Sequence, residues 1–139
     1  VLNSTGANTT FPSIQFQMRS GLTWEGAEGW GQGLSASLFW SHTGGYKNWS
    51  GTPVNAIVRN SSGQPVSGGD KVGDNDTFDL HVQYEVQGKM PWVSGTQLYV
   101  DVQNMFDKTP PFYNSATGYD NFAASPIGRV VSIGARKTF

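Results

Sequence analysis

Apolar and polar residues alternate with a period of two in five stretches of this sequence, and this pattern restricts the fold more than any other feature. In the clearest stretch, the apolar residues Leu80, Val82 and Tyr84 alternate with the polar residues His81 and Gln83. Because successive side chains of a β-strand point to opposite faces, each stretch predicts a strand with one apolar and one polar face. The predicted strands lie at about 13–24, 33–47, 76–87, 97–107 and 128–139.

The composition also favours strands joined by turns. The 139 residues include 18 glycines, and 13% of them are aromatic, against 37% that are hydrophobic. Glycine and small polar residues favour turns, whereas aromatic residues are enriched in strands. We therefore predict an all-β fold with antiparallel strands.

Charge and cysteine content exclude several classes of function. The nine Lys and Arg residues nearly balance the ten Asp and Glu residues. The basic residues form no stripe that could follow a phosphate backbone, so nucleic acid is not an expected partner. The chain has no cysteine, which excludes disulfides and thiolate metal sites from this segment. The sequence also lacks an apolar run of ~18 residues, the length that a membrane-spanning helix needs.

The connectors between the predicted strands alternate in length. Those at 25–32 and 88–95 are short and rich in glycine, whereas those at 48–75 and 108–126 are long. Short turns at one rim and long loops at the other are typical of outer-membrane β-barrels. A soluble β-sandwich also alternates, with its apolar residues turned inward, so the pattern alone leaves both architectures open.

Two further features favour a membrane barrel over a sandwich. Charged residues occupy the polar phase in mid-strand, as a water-filled lumen would allow: Asp79, Glu85 and Asp101. Aromatic residues lie near strand ends, where an interfacial girdle would form: Trp24, Tyr46, Trp92 and Phe112.

The final third of the chain carries a family resemblance. The segments LYVDVQNMFDKTPPFY (98–113), GYD (118–120) and GRVVSIGARKTF (128–139) follow one another in that order. Together they resemble the C-terminal signature of TonB-dependent outer-membrane receptors, in which a strand ends in an Asn-aromatic-Asp turn and a final Gly-Arg strand stops at a terminal Phe. The upstream residues 77–80 with Tyr84 are similar to the preceding strand of that family.

The resemblance implies a transmembrane β-barrel and a role in nutrient import. Members form 22-stranded barrels filled by an N-terminal plug, and they import ferric siderophores, cobalamin or glycans with energy relayed by TonB, ExbB and ExbD. This chain is then expected to supply the last five strands and two extracellular loops in the bacterial outer membrane. Its expected neighbours are the lipid bilayer, lipopolysaccharide, the plug and the rest of the barrel. TonB itself is expected to contact an N-terminal part that lies outside this chain.

The signature residues themselves are expected to be structural. Asn104 and Asp107 can hydrogen-bond nearby backbone where the strand stops, and Pro110 and Pro111 cannot donate to a ladder. Gly128 permits a bend at the entry to the last strand. Two polar residues, Lys137 and Asn104, fall on the apolar phase. Lys137 can extend its ammonium group to water at the rim, and Asn104 requires that the apolar band ends there or that a bulge resets the register.

If this segment touches a ligand, the contacts are expected from the long loops at 48–75 and 108–126, because binding residues concentrate on loops held by a rigid scaffold. The candidate ligand-binding residues are aromatic: Tyr46, Trp49, Phe112, Tyr113 and Tyr119. The same residues could instead form an interfacial girdle, and the sequence leaves both interpretations open.

Other clusters indicate neither catalysis nor a cofactor. The acidic run that contains Asp70, Asp74 and Asp76 fails the calcium-loop template, which requires a ligand and a glycine where Phe78 and Asp79 stand. The remaining candidates lack the spacing of a metal site or a phosphate loop: His42 with His81, and Gly29, Gly31 and Gly33. We therefore expect no enzyme activity, no metal and no cofactor.

A secreted soluble β-sandwich that binds carbohydrate is the alternative from a different class. It would use surface aromatic residues for stacking: Trp30, Trp49 and Trp92. Solubility of the protein without detergent would favour this alternative over the barrel.

The terminal residue Phe139 is expected to act in assembly. By resemblance, a terminal Phe is part of the signal that the barrel-insertion machinery recognises, and strand addition to the last strand is a plausible mode of contact. In a finished barrel, one rim aromatic contributes only a share of the ~1.5–3 kcal/mol for burying a large apolar side chain. Deletion of Phe139 should therefore sharply lower the amount of receptor in isolated outer membranes, while inserted molecules bind ligand normally. Normal membrane levels with lost ligand binding would contradict this role.

Overall fold

The structure is a computed structural model, and it describes residues 14–48, 61–63, 71–88, 92–113 and 117–138. Within these ranges the chain forms seven strands and one short 3-10 turn at Gly29–Gly31, without an α-helix. The strands are β1 Gln17–Glu25, β2 Leu34–Thr43, β3 Tyr46–Lys47, β4 Lys71–Val72, β5 Asn75–Glu85, β6 Thr96–Gln103 and β7 Val130–Lys137.

The strands form two sheets. The larger has five strands in the order β1-β2-β5-β6-β7, and the smaller pairs β3 with β4. The pairs β3/β4, β5/β6 and β6/β7 are antiparallel. The all-β, antiparallel prediction is therefore confirmed, and the five-stranded sheet is open, with β1 and β7 as its edges.

The five long strands overlap the five predicted stretches, but four of them end before the predicted bound, and β2 and β6 end earliest relative to it. β2 stops at Thr43 rather than near residue 47. The Gly44 N–H still donates to the Phe16 carbonyl oxygen at 2.9 Å, but the Gly45 N–H donates to Asp74 Oδ1 at 2.6 Å and so leaves the ladder with β1. β6 stops at Gln103 rather than near residue 107. There Asn104 has a φ of 49°, a left-handed conformation that interrupts a strand. Asn104 thus lies at a strand end, which resolves its place on the apolar phase.

The chain divides into two compact units. One comprises Val1–Met18, Ser41–Asp76 and Thr109–Ile127, and the other comprises Arg19–Trp40, Thr77–Lys108 and Gly128–Phe139. We call the first the loop unit and the second the sheet unit. The described part of the loop unit contains the β3/β4 ribbon. The sheet unit contains the full length of β6 and of β7.

The register of the sheet separates the apolar and polar residues. Val82 lies opposite Val100, which lies opposite Ile133, while His81 lies opposite Asp101 on the other face. The register thus confirms the predicted grouping of side chains. One face carries Leu80, Val82, Val100 and Ile133, and the other carries Asp79, His81, Gln83, Asp101 and Arg136.

The apolar face of the sheet is most exposed on the edge strands β1 and β7, whereas Leu80 and Val82 of β5 are partly exposed. Ile133 is 80% exposed, Leu22 is 73% exposed and Val131 is 56% exposed. Among the described residues, the buried hydrophobic side chains are Tyr46, Val72 and Tyr113, and all of them belong to the loop unit. The apolar phase of the five strands therefore has no protein core packed against it within the described part of the chain.

Glycine residues on the polar face lie beneath aromatic rings. A Cβ atom at Gly21 would lie 2.8 Å from the Phe39 ring, and one at Gly134 would overlap the Tyr99 ring. Tyr99 and Gly134 are direct partners across β6 and β7. A glycine in a strand exposes backbone, and a cross-strand aromatic ring that covers it restores packing there. The Tyr99 ring also stacks on His81, with ring centroids 6.4 Å apart.

Replacement of Gly134 by alanine tests this packing. The new methyl group must displace the Tyr99 ring, and overpacking of this kind costs ~1–3 kcal/mol. We expect the free energy of unfolding of the full-length protein to fall by that amount in denaturant titrations. Ser132→Ala, on the same strand and face, is the matched control. In a protein that already carries Tyr99→Ala, Gly134→Ala should change the free energy of unfolding little. A cost that persists in this background would show that the Tyr99 ring is not its source.

Candidate functional site

Two of the predicted ligand-binding aromatics form the core of the loop unit. Tyr46 and Tyr113 are each 7% exposed and Val72 is 1% exposed, and these three side chains make one cluster. The two tyrosine rings lie 6.3 Å apart at an interplanar angle of 53°. Ile14 and Ala123 pack against the cluster from its edge. This core fixes the β3/β4 ribbon, because Tyr46 and Val72 are direct cross-strand partners.

A buried carboxylate joins this core to the loop at 117–127. The Tyr46 hydroxyl donates to Asp120 Oδ2 at 2.9 Å, and the Phe122 N–H donates to Asp120 Oδ1 at 2.9 Å. Asp120 is only 6% exposed, and a buried charge requires such partners. The bond spans 74 positions of sequence. It therefore ties together two parts of the loop unit that are remote along the chain.

Burial raises the pKa of the Tyr46 phenol well above its ordinary value, and the hydrogen bond to Asp120 and the negative charge of that carboxylate raise this pKa further. Burial also raises the pKa of Tyr113, with a smaller contribution from Asp120. Both phenols are therefore neutral at physiological pH. Tyr46 acts as a hydrogen-bond donor there, a structural function.

The other predicted site residues lie in different surroundings. Phe112 and Tyr119 are partly exposed. Trp49 and Phe139 lie outside the described residues. The structure thus brings Tyr46 and Tyr113 together and buries them, which leaves Phe112 and Tyr119 as the described candidates that are partly exposed. Ligand contact by this set stays a prediction.

A cleft of about 530 Å³ opens beside the β3/β4 ribbon. Its lining combines the ribbon, its flanking residues and one residue that precedes β1: Gln15, Gly45, Tyr46, Lys47, Lys71, Val72, Gly73 and Asp74. Lys47 and Lys71 are direct cross-strand partners. Sequence reasoning missed both lysines, because a strand of two residues is too short to show alternation.

Charged side chains pair along the polar face of the sheet. His81 Nδ1 lies 2.6 Å from Asp101 Oδ1, and an Arg19 nitrogen lies 3.7 Å from Asp79 Oδ2. The Arg19 guanidinium also lies over the Phe39 ring, 5.1 Å from its centroid. A second cleft, of about 340 Å³, opens among these residues. These pairs are partly exposed, so they are compatible with a hydrated surface and contribute little to stability.

The Asn-aromatic-Asp turn after β6 is held by its own hydrogen bonds. Asn104 donates through Nδ2 to the Lys108 carbonyl oxygen and accepts through Oδ1 from the Lys108 N–H, at 2.9 and 2.8 Å. The Asn104 N–H donates to Asp79 Oδ1 at 2.9 Å. The predicted backbone bonding of Asn104 is confirmed, and the turn is fixed to β5 as well as to itself.

Asp107 connects this turn to the start of the last strand. The Arg129 N–H donates to Asp107 Oδ1 at 2.8 Å. The Asp107 side chain thus bonds backbone that lies 22 positions away, just before β7, and not the nearby backbone that was predicted. A Cβ atom at Gly128 would overlap the same carboxylate oxygen. The Gly-Arg pair is therefore explained by the close approach of Asp107. Lys137, at the other end of β7, donates through Nζ to the Ser94 carbonyl oxygen.

The acidic and histidine residues of the sequence are dispersed. His42 Nδ1 lies 2.8 Å from Asp76 Oδ1, whereas His81 pairs with Asp101 and Asp74 accepts from the Gly45 N–H. Within the described ranges, no three His, Asp or Glu side chains converge on a point where they could hold a metal ion. Asp70 lies outside those ranges.

Comparison of the chain with protein-family models, with curated proteins and with solved structures finds no match. In the part of the chain that the structure describes, no helix has the length and apolar character needed to span a membrane.

Replacement of Tyr46 by phenylalanine tests the buried anchor. Loss of one donor to a buried carboxylate should lower the free energy of unfolding at pH 7 by ~1–3 kcal/mol. The substitution should also change how the free energy of unfolding depends on pH at alkaline pH. Above pH ~10, tyrosines of the unfolded chain lose their protons while the buried Tyr46 keeps its proton, so unfolding becomes more favourable as pH rises.

Denaturant titrations of the full-length protein between pH 7 and 11 would measure both effects. The wild type should lose stability above pH ~10 more steeply than Tyr46→Phe, since the variant retains only the Tyr113 contribution. Tyr84→Phe, which changes an exposed tyrosine of β5, is the matched control. Parallel pH curves for the wild type and Tyr46→Phe would contradict the assignment.

Proposed function

We propose that this chain is the C-terminal part of a TonB-dependent outer-membrane receptor, and that β1, β2, β5, β6 and β7 are five of its transmembrane strands. The observation that carries the proposal is the exposed apolar face of the sheet. In water, an antiparallel sheet buries its apolar face against other protein, and soluble monomers rarely expose large apolar patches. Lipid chains would cover this face in a membrane.

The distribution of aromatic residues supports a membrane setting. On β5, Phe78 and Tyr84 flank the aliphatic residues Leu80 and Val82. The six-residue step from Phe78 to Tyr84 covers ~20 Å at the usual rise of a strand, close to the ~25 Å height of the apolar band in outer-membrane barrels, which aromatic girdles flank.

Aromatic residues also cluster around these ends. Trp40 stacks on Phe78 with ring centroids 6.3 Å apart, and Phe106 meets Phe78 edge-on at 5.4 Å. Next to the short turn after β1, the Trp24 and Trp30 rings stack at 6.3 Å. Such amphipathic rings are enriched at the interface between membrane and water.

The polar face and the open edges support the same proposal. The polar face carries charged and histidine side chains within the strands: Arg19, Asp79, His81 and Asp101. In a barrel, this face would line the hydrated lumen. The edge strands β1 and β7 present unpaired backbone groups that the remaining strands of a larger barrel would pair. The signature at 98–139 is the sequence support, and it suggests a 22-stranded parent barrel.

In this proposal the chain supplies barrel wall and extracellular loops, and the complete receptor performs TonB-energised uptake. The ligand belongs to the class of ferric siderophores, cobalamin or glycans. The loops at 48–75 and 108–126 lie on the outer side, near lipopolysaccharide. The barrel-insertion machinery would contact β7 during assembly, and the plug would carry the contact with TonB.

A soluble carbohydrate-binding sandwich remains the second candidate because two tryptophans are strongly exposed. Trp30 is 87% exposed and Trp92 is 74% exposed, and each lies in a short connector where a sugar ring could stack. A full-length protein that stays monomeric and folded without detergent would favour this candidate and contradict the barrel.

Arginine substitution on the two faces of β5 tests the membrane orientation. In the full-length receptor folded into lipid bilayers, Val82→Arg should lower the free energy of unfolding by ~2–4 kcal/mol, because it places a charge on the lipid face. Gln83→Arg is the matched control on the next residue, and its cost should be far smaller because it faces the lumen. Equal costs at the two positions would contradict the orientation.

A further inference from the structure

The cleft beside the β3/β4 ribbon carries an inference that does not depend on a membrane location. Its two cationic residues, Lys47 and Lys71, are placed directly opposite each other by the ribbon register. The ribbon thus places two cationic residues side by side in the lining of the cleft.

The ribbon is held firmly enough to preserve that arrangement. On its other positions, Tyr46 and Val72 are buried in the loop-unit core, and Tyr46 bonds to the buried Asp120. The one carboxylate in the cleft lining belongs to Asp74, and its Oδ1 accepts the Gly45 N–H at 2.6 Å. That backbone bond holds the carboxylate at the turn after β2, while the lysines lie on the paired strands.

We propose that this cleft binds a phosphate group of a small ligand, with Lys47 and Lys71 as its two cationic contacts. A phosphate monoester carries a charge of about −1.5 to −2 near neutral pH, and two lysine ammonium groups match that charge as point charges. The Gln15 side-chain amide, also in the lining, can donate to a third phosphate oxygen. A cleft of about 530 Å³ has the size of a small-molecule site.

The same chemistry could come from a soluble phosphate ester or from a phosphorylated lipid headgroup. The test uses the full-length protein in a neutral, phosphate-free detergent and measures binding by calorimetry at low salt. Pyrophosphate is the soluble probe, and a short-chain phosphatidic acid added to the micelles is the lipid probe. Saturable binding of pyrophosphate supports a soluble source, and binding of phosphatidic acid alone supports a lipid source.

The variants link binding to the two lysines. Lys47→Gln combined with Lys71→Gln should lower the affinity for the bound probe by about tenfold or more, because charge-assisted contacts are lost. Lys47→Arg combined with Lys71→Arg should retain binding. The matched control is Lys108→Gln with Arg136→Gln, which removes two positive charges outside the cleft lining.

Thermal unfolding would test whether the glutamine variant is folded and would give a second measure of binding. Without probe, the double glutamine variant should still show a thermal unfolding transition, which is evidence that it is folded. With probe, the wild type should be stabilised and the variant should not. The proposal would be overturned if the wild type bound neither probe, or if the glutamine variant and the control lost affinity to the same extent.

Discussion

The hydrogen-bonding register that aligns β5, β6 and β7 is the constraint on which the two faces of the sheet depend. Val82, Val100 and Ile133 line up across three strands only in this register. Because side chains alternate with a period of two, a slip of one residue would exchange the apolar and polar sets of a whole strand. His81 would then lose Asp101, and apolar side chains would enter the charged face.

The turn after β6 fixes that register from one end of the sheet. Asp79 holds the Asn104 backbone, Asn104 closes the turn onto Lys108, and Asp107 holds the backbone of Arg129 at the entry to β7. The bond between Asn104 and Lys108 is local, whereas those of Asp79 and Asp107 span 25 and 22 positions of sequence. Together they connect β5, the turn and the entry to β7. The residues that carry the family resemblance are thus explained by strand pairing, and their polar groups are occupied by the chain itself. Their role in the proposed receptor is structural.

The loop unit follows a different principle, because its order depends on a small core rather than on a ladder. Tyr46, Val72 and Tyr113 are buried together, and Asp120 accepts two hydrogen bonds inside the same unit. This core carries the β3/β4 ribbon and the cleft beside it. Binding chemistry on such a loop does not require the sheet to change, which is a common division of labour between scaffold and loops.

The sequence by itself determined the strands and their faces, because alternation is a relation between neighbouring residues and is visible without tertiary structure. It also determined the strand-ending role of Asn104, because that side chain reaches the nearby backbone of Lys108. The partner of Asp107 was decided by the tertiary structure, since Arg129 lies 22 positions away. Only the tertiary structure decided which aromatic residues of the loops are buried. Tyr46 was expected on a surface and is buried, since its partner Asp120 lies 74 positions away and no local pattern records that contact.

The opposition of Lys47 and Lys71 was likewise decided only in three dimensions, since each lies in a strand of two residues that is too short for a period to show. Exposure of the apolar face was also beyond the sequence, because alternation is the same whether the apolar side packs on protein or faces outward. Local periodicity specifies which side chains share a face. The path of the loops and the packing of the whole chain specify what each face meets.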